Sequence, residues 1–278
     1  MRSVSDTPAG AAIAVRNLDV GYGSFVVQRD LRFDVPRGKV FIIMGGSGCG
    51  KSTVLRVMIG LLPPLRGEVL VGGVSLWQAE ERDREAITRQ VGVLYQGGAL
   101  WSGMTLAENV ELPLAEFTDI GAGQRREMVA LKLALVGLAG FEDFYPAQLS
   151  GGMQKRAALA RAMALDPDIL FLDEPTAGLD PVSSRRFDDL ILELRESLGC
   201  TVVVVTHELA SIFTIGDDAI FLDAERHTVI AHGNPKVLLA ESTDPTVRAF
   251  LTRGEPATAQ AQGSASPPSS ARSQGEGG

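Results

Sequence analysis

The chain has 278 residues, 45% of them apolar, enough for one large α/β domain or two small ones with a sizeable core. A formal net charge of −8, with a pI near 5.0, argues against nucleic acid as the main partner. Two scattered cysteines, Cys49 and Cys200, are too few for a disulfide framework or a zinc site and fit a reducing, cytosolic compartment.

In chain order, residues 1–11 read as a flexible N-terminus with no signal-peptide core, since Asp6 and Pro8 interrupt it. Residues 12–20 and 25–35 have the spacing of short strands around a GYGS turn. VFIIM (40–44) is a short apolar run ending in glycines, the pattern of a buried parallel strand, and a helix is expected from Lys51 to about Gly60. GEVLVGG and VGVLY (91–95) read as further strands. From Thr105 to about Leu165 only helical spacing is found, which suggests a helical subdomain, about 97–165, inserted in the α/β core. DILFLDE (168–174) returns to a buried strand. A helix over Pro181–Leu198, a strand at TVVVVTH, two strands at AIFLD and TVIAHG and two short closing helices follow. Strands alternating with helices predict a mostly parallel sheet covered on both faces. No run reaches the ~20 apolar residues needed to cross a bilayer. Residues 254–278, rich in Gly, Pro, Ser, Ala and Gln, read as a disordered tail.

The strongest chemical signal is GGSGCGKST, comprising Gly45, Gly46, Ser47, Gly48, Cys49, Gly50, Lys51, Ser52 and Thr53. It fits G-x-x-x-x-G-K-[ST] between a buried strand and a helix. Glycines let the backbone curl so that N–H groups point at phosphate oxygens, and the helix terminus adds partial positive charge. Lys51 should reach the β- and γ-phosphates, and the Ser52 hydroxyl should hold Mg²⁺. Cys49 lies where a helix N-terminus can lower a thiol pKa; the preferred reading is a small residue that fits.

LFLDEP places Asp173 and Glu174 at the end of an apolar strand, one carboxylate suited to Mg²⁺ and its neighbour to polarising water. LSGGMQKRAALARA supplies a second anion-binding helix start, with Ser150 as N-cap and Gly151 and Gly152 baring backbone N–H groups. One nucleotide needs only one such terminus. A dimer, in which this terminus closes on the γ-phosphate held by another subunit, would reconcile the two.

Taken together, these motifs resemble those of an ABC-transporter nucleotide-binding domain over residues 12–253. GGSGCGKST corresponds to Walker A, Gln96 to the Q-loop, LSGGM to the signature, ILFLDE to Walker B, GLD (178–180) to the D-loop and His207 to the switch histidine, in the family's order. The resemblance implies an α/β P-loop NTPase core with a mostly parallel sheet, an antiparallel β part near the N-terminus and the inserted helical subdomain. It implies a head-to-tail homodimer sandwiching two ATP molecules. Glu174 becomes the catalytic base and His207 a γ-phosphate contact, with Lys51 also in the catalytic set. Gln96 couples Mg²⁺ and water to a partner domain, Asp180 communicates across the dimer, and Tyr22 stacks on adenine. Met153 departs from the usual Gln of the signature, at a position whose side chain the backbone donors do not need.

The run QGGALWSGMTLAENV after Gln96 resembles the ATPases of mammalian-cell-entry (MCE), or Mla-type, phospholipid transporters, where Gly-Ala-Leu-aromatic follows the Gln. That resemblance implies a permease docking near Gln96–Asn109, an MCE-domain lipid-binding protein in the same system, and a place on the cytoplasmic face of the bacterial inner membrane. Some members also bind a STAS-domain protein. Trp101 and Met104 become candidate permease contacts, unless Trp101 packs inward between subdomains. The alternatives are an ATPase for a small polar solute and, more remotely, a non-transport ABC ATPase. DNA-repair types of the latter carry a coiled-coil insertion and ribosomal types two ATPase domains, and the chain shows neither.

Overall fold

The computed structural model describes residues 10–252. The expected tail, 254–278, lies outside them, as does most of the expected flexible N-terminus; Ala11 already opens the first strand. In chain order the strands are β1 (Ala11–Tyr22), β2 (Phe25–Pro36), β3 (Val40–Gly45), β4 (Arg66–Val71), β5 (Val74–Ser75), β6 (Val91–Leu94), β7 (Ile169–Asp173), β8 (Thr201–Val205), β9 (Asp218–Leu222) and β10 (Val229–Gly233). The helices are α1 (Lys51–Met58), α2 (Glu81–Arg89), α3 (Leu106–Phe117), α4 (Ala122–Leu135), α5 (Gly151–Ala162), α6 (Pro181–Leu198), α7 (Leu209–Ile215), α8 (Pro235–Glu241) and α9 (Pro245–Thr252).

Two sheets form. The larger runs β10-β9-β3-β8-β7-β6, parallel throughout except for the β9–β10 hairpin. The smaller, antiparallel sheet runs β2-β1-β4-β5. Strand β3 is buried along its whole length, and the period-2 alternation of side chains sends its residues to opposite faces. Val40, Ile42 and Met44 join the core shared with α3 to α7. Phe41 and Ile43 join the core under α1 and the antiparallel sheet. Val202 and Val204 against Val203 and Val205 on β8 repeat the pattern. Each such buried side chain contributes about 1.5–3 kcal/mol, so the continuous apolar runs are what a sheet covered on both faces requires.

Helix α2 is not announced by apolar spacing. Its sequence, ERDREAITR, buries only Ile87. Glu81 and Asp83 in its first turn and Arg89 in its last complement the helix dipole. Between β6 and β7 lie α3, α4, a short 3₁₀ turn at Pro146–Gln148, and α5. Thr105 caps α3 with a full capping box, its hydroxyl accepting from the Glu108 N–H while Glu108 accepts from the Thr105 N–H.

The parallel strands β3, β8, β7 and β6 are neighbours and share a direction, so their C-terminal ends lie along one edge. The P-loop follows β3, His207 follows β8, Glu174 follows β7 and Gln96 follows β6. Segments from Gly45 to His207 in sequence are thereby gathered at one rim, the usual ligand-binding edge of an open α/β sheet.

Candidate active site

The loop between β3 and α1 needs glycine at two points. Gly45, at φ +153°, would place a Cβ 2.4 Å from the Leu222 carbonyl oxygen; Gly50, at φ +94°, would place one 2.4 Å from Val27 Cγ1. Gly50 is also the N-cap of α1, which has no side-chain cap and no acidic residue in its first turn. The first N–H groups of α1 are therefore left to face an anion. Lys51 is buried, its Nζ donating to the carbonyls of Gly45 (3.0 Å) and Gly46 (2.9 Å).

Opposite the loop, Ser52 Oγ lies 3.5 Å from Asp173 Oδ1. Burial, and then the charge of Glu174 beside it, raise the Asp173 carboxyl above its ordinary range. Glu174 is buried at φ +48°, its N–H donating to the Val205 carbonyl. Its Oε1 lies 2.8 Å from His207 Nδ1, while Oε2 is buried without a hydrogen-bond partner. His207 is 47% exposed and its Nε2 lies 3.7 Å from Glu208. Among the described residues no group of three or more His, Cys, Asp or Glu side chains could hold a metal. Magnesium sites that use one or two protein oxygens, waters and substrate phosphates do not need one. A hydroxyl facing a carboxylate whose charge is held at a cost, beside an orphaned carboxylate oxygen, fits such an ion.

A cavity of about 490 Å³ is lined by Ser47–Thr53, Gln96, Glu174 and His207, so these sequence-predicted residues are brought together. Phe25, Val27, Ala224 and His227 complete the lining and were not singled out from sequence. Phe25 sits three residues past Tyr22 as an exposed aromatic at a strand start, a signal present in the sequence; His227, about two hundred residues away, offered none. Tyr22 stands outside this lining. Its hydroxyl lies against Thr53 and accepts from Arg56 Nη1 at 3.0 Å, contacts that lower its pKa. Cys49 is buried, and burial pushes its thiol up rather than down, overriding the nearby Lys51. The lowered pKa that a helix N-terminus could have produced is not what this site holds.

Ser150, Gly151, Gly152 and Asp180 are elsewhere. Ser150 Oγ caps α5 by accepting from the Met153 N–H at 3.3 Å. The terminus lines a separate cavity of about 710 Å³ with Met153, Gly178, Leu179 and Asp180, which shares no residue with the first. Asp180 accepts from the N–H groups of Val182 and Ser183, both at 3.0 Å, as the N-cap of α6.

The stretch after Gln96 is tied down from two helices. Arg161 of α5 donates to the carbonyls of Ala99 (2.7 Å) and Gly98 (3.2 Å), and Asn109 of α3 bonds the main chain of Trp101, Met104 and Thr105. Trp101 is 60% exposed, which excludes the inward-packed alternative within this chain. Beside this stretch a cavity of about 670 Å³ opens between α2, β6, α3 and α5, lined by Arg84, Tyr95, Pro113, Phe117 and Arg161. Trp101 and Met104 lie outside its lining. No described helix is long and apolar enough to cross a membrane.

Comparison with known proteins agrees with this geometry. Residues 28–177 match the sequence family described as ABC transporter. The chain is 40% identical over 244 residues to the probable ribonucleotide transport ATP-binding protein mkl of Mycobacterium leprae, covering 88% of this chain and 70% of that one. It is 40% identical over 243 residues to the intermembrane phospholipid transport system ATP-binding protein MlaF of Haemophilus influenzae, covering 87% of this chain and 90% of that one. Among solved structures it is similar to the dimeric, post-hydrolysis ATP-binding cassette MJ0796 bound to ADP and Pi. The TM-score there is 0.72 at 31% identity, over 80% of this chain and 98% of that one. A P-loop at the end of a parallel strand, a carboxylate pair and a histidine at the same rim, and a second glycine-rich helix start lining its own cavity thus have one explanation: the chain belongs to the ABC transporter family, as an ATPase cassette that energises a transporter.

Proposed function

We propose that two copies of this chain pair head to tail, close on two ATP molecules, and drive a permease that moves phospholipids or related lipids between membranes. What carries the pairing is the separation of the two anion-binding termini. Lys51 and the α1 terminus line one cavity, the α5 terminus lines another, and no residue is common to both. Head-to-tail pairing would bring the Ser150–Gly152 terminus of each copy onto the phosphates bound by its partner, with Asp180 beside it.

In this reading the backbone N–H groups of 45–53 and Lys51 bind the phosphates. Ser52, Asp173 and Gln96 would hold Mg²⁺, which would neutralise the charge of the phosphates. Glu174 polarises the attacking water, and His207, bonded to Glu174 Oε1, contacts the γ-phosphate and keeps the carboxylate turned toward it. Tyr22 or Phe25 takes the adenine.

The cargo reading draws support from the Gly-Ala-Leu-aromatic run after Gln96 and from the similarity to a phospholipid-system protein. It implies a permease at the groove beside Gln96–Asn109, an MCE-domain protein, and in some arrangements a STAS-domain protein. The chain would then sit on the cytoplasmic face of the inner membrane. The similarity to mkl, named for ribonucleotide transport, favours a polar cargo instead. Affinity purification of the tagged chain from its native cells, with proteins and lipids identified by mass spectrometry, decides between them. A permease, an MCE protein and bound phospholipid are expected. A polar-solute permease free of lipid would overturn the lipid reading.

A further inference from the structure

We propose that Lys155 is a positioning residue for hydrolysis, holding from helix α5 the strained turn that carries Glu174. The inference rests on the reading of Glu174 as the group that polarises water. Lys155 lies four residues, about 6 Å of helix, beyond Gly151 at the start of α5. Its Nζ donates to three main-chain carbonyls of a single turn: Glu174 at 3.3 Å, Pro175 at 2.8 Å, and Ala177. An ammonium has three donors, and all three are spent on this turn.

The turn has reason to need a clamp. Glu174 stands at φ +48°, a left-handed backbone that non-glycine residues seldom adopt. The turn is closed by the Ala177 N–H donating to the Glu174 carbonyl at 3.2 Å. Three carbonyl dipoles converging on one point repel each other unless a cation sits between them. Burial pulls the Lys155 amine below the usual lysine range, and the nearby charge of Glu174 opposes that pull. Without the ammonium, the three carbonyls lose their common partner, and the turn relies on the bonds of Glu174 to Val205 and His207 to keep the carboxylate at the P-loop cavity.

The contact also joins the two halves of the machinery within one chain. The N-terminus of α5 faces the partner's phosphates in the proposed dimer, while Lys155, one turn on, holds the residue that acts on the chain's own nucleotide. Movement of α5 as it closes on the partner's ATP is thereby passed to Glu174 through the Lys155 side chain.

The test compares K155M, K155R and E174Q in the complex purified with its permease. For K155M we expect kcat to fall at least about tenfold, since a misplaced catalytic group can cost about 10²-fold. The KM for ATP should stay close to wild type while the Tm falls by no more than the few degrees expected of the unpaired carbonyls, and K155R should recover most of the rate. The inference is overturned if K155M hydrolyses within twofold of wild type (about 0.4 kcal/mol at the transition state). It is equally overturned if KM shifts together with kcat and K155R does not rescue, because Lys155 is then structural. Near-normal turnover by E174Q would defeat the Glu174 reading itself, and this inference with it. A slow E174Q beside a normal K155M defeats only the role of Lys155.

Discussion

The carboxamide of Asn109 grips the main chain of Trp101 from both sides: its oxygen accepts from the Trp101 N–H at 2.8 Å and its nitrogen donates to the Trp101 carbonyl at 3.1 Å. The same nitrogen lies 3.1 Å from the Met104 carbonyl and 2.9 Å from that of Thr105. Asn109 is fully buried, whereas Trp101 is 60% exposed. The loop after Gln96 is therefore a rigid mount that displays an apolar ring, with its polar backbone satisfied from within. Trp and Met are favoured at protein contact surfaces, which makes this loop the candidate permease contact.

Replacing Asn109 by Ala removes the partner of several main-chain groups at once. Each buried group left unpaired costs about 1–3 kcal/mol. We expect the Tm to fall by roughly 3–10 °C, given about 2–4 °C per kcal/mol for a domain of this size. Differential scanning calorimetry of the full chain measures it; an unchanged Tm would mean that the loop does not depend on this clamp.

Trp101→Ala should behave in the opposite way. The ring packs little within the chain, so stability should change by no more than about 0.5 kcal/mol. Binding to the permease should weaken clearly, read as loss of the complex on affinity purification. Retention of the full complex would remove Trp101 from the interface.

Glu174→Gln keeps the shape of the site and the P-loop groups but removes the proposed base. Turnover should fall by about 10²-fold or more, the usual contribution of a positioned general base, while ATP binding persists. The expected product is an ATP-bound dimer that accumulates in size-exclusion chromatography. Rapid hydrolysis, or a monomer in the presence of ATP, would count against the assigned role.

Asp188 of α6 should make stability depend on pH. Its Oδ2 accepts from Ser211 Oγ at 2.9 Å, Oδ1 is buried without a partner, and Ser211 Oγ lies 3.3 Å from Thr176 Oγ1. Burial raises its carboxyl from 3.8 to about 6. The folded state thus holds this proton more tightly than the unfolded chain. The burden of the buried charge is absent below about pH 4, grows as pH rises to about 6, and is complete above that. D188N, neutral at every pH, should match wild type near pH 4 and exceed its Tm by roughly 6–12 °C at pH 7.5, the shift that about 3 kcal/mol produces for about two pKa units. Thermal melts of the two proteins across this range test it; a Tm difference that does not vary with pH would remove Asp188 as its source.

Much of this was open to reading from sequence because it is local. VFIIM and ILFLD announce buried strands by unbroken apolar runs, and GGSGCGKST announces a phosphate loop because only glycine tolerates the backbone at Gly45 and Gly50. By themselves these patterns determined the α/β class and the order of the chemical groups; the family came from the resemblance of six motifs in order, LSGGM and His207 among them. Helix α2 escaped them because it buries one residue and is held by end charges rather than by an apolar stripe. Tertiary structure alone decided which distant groups meet: Lys155 with the Glu174 turn, Phe25 and His227 with the P-loop, and the placing of Ser150 and Asp180 in a cavity of their own. It also decided that the Cys49 thiol is raised and that Trp101 faces out. The physical reason is one of range. Backbone propensity and side-chain periodicity act over a few residues, whereas burial, and the convergence of groups on a side chain from another element, exist only once the sheet has brought its strand ends together.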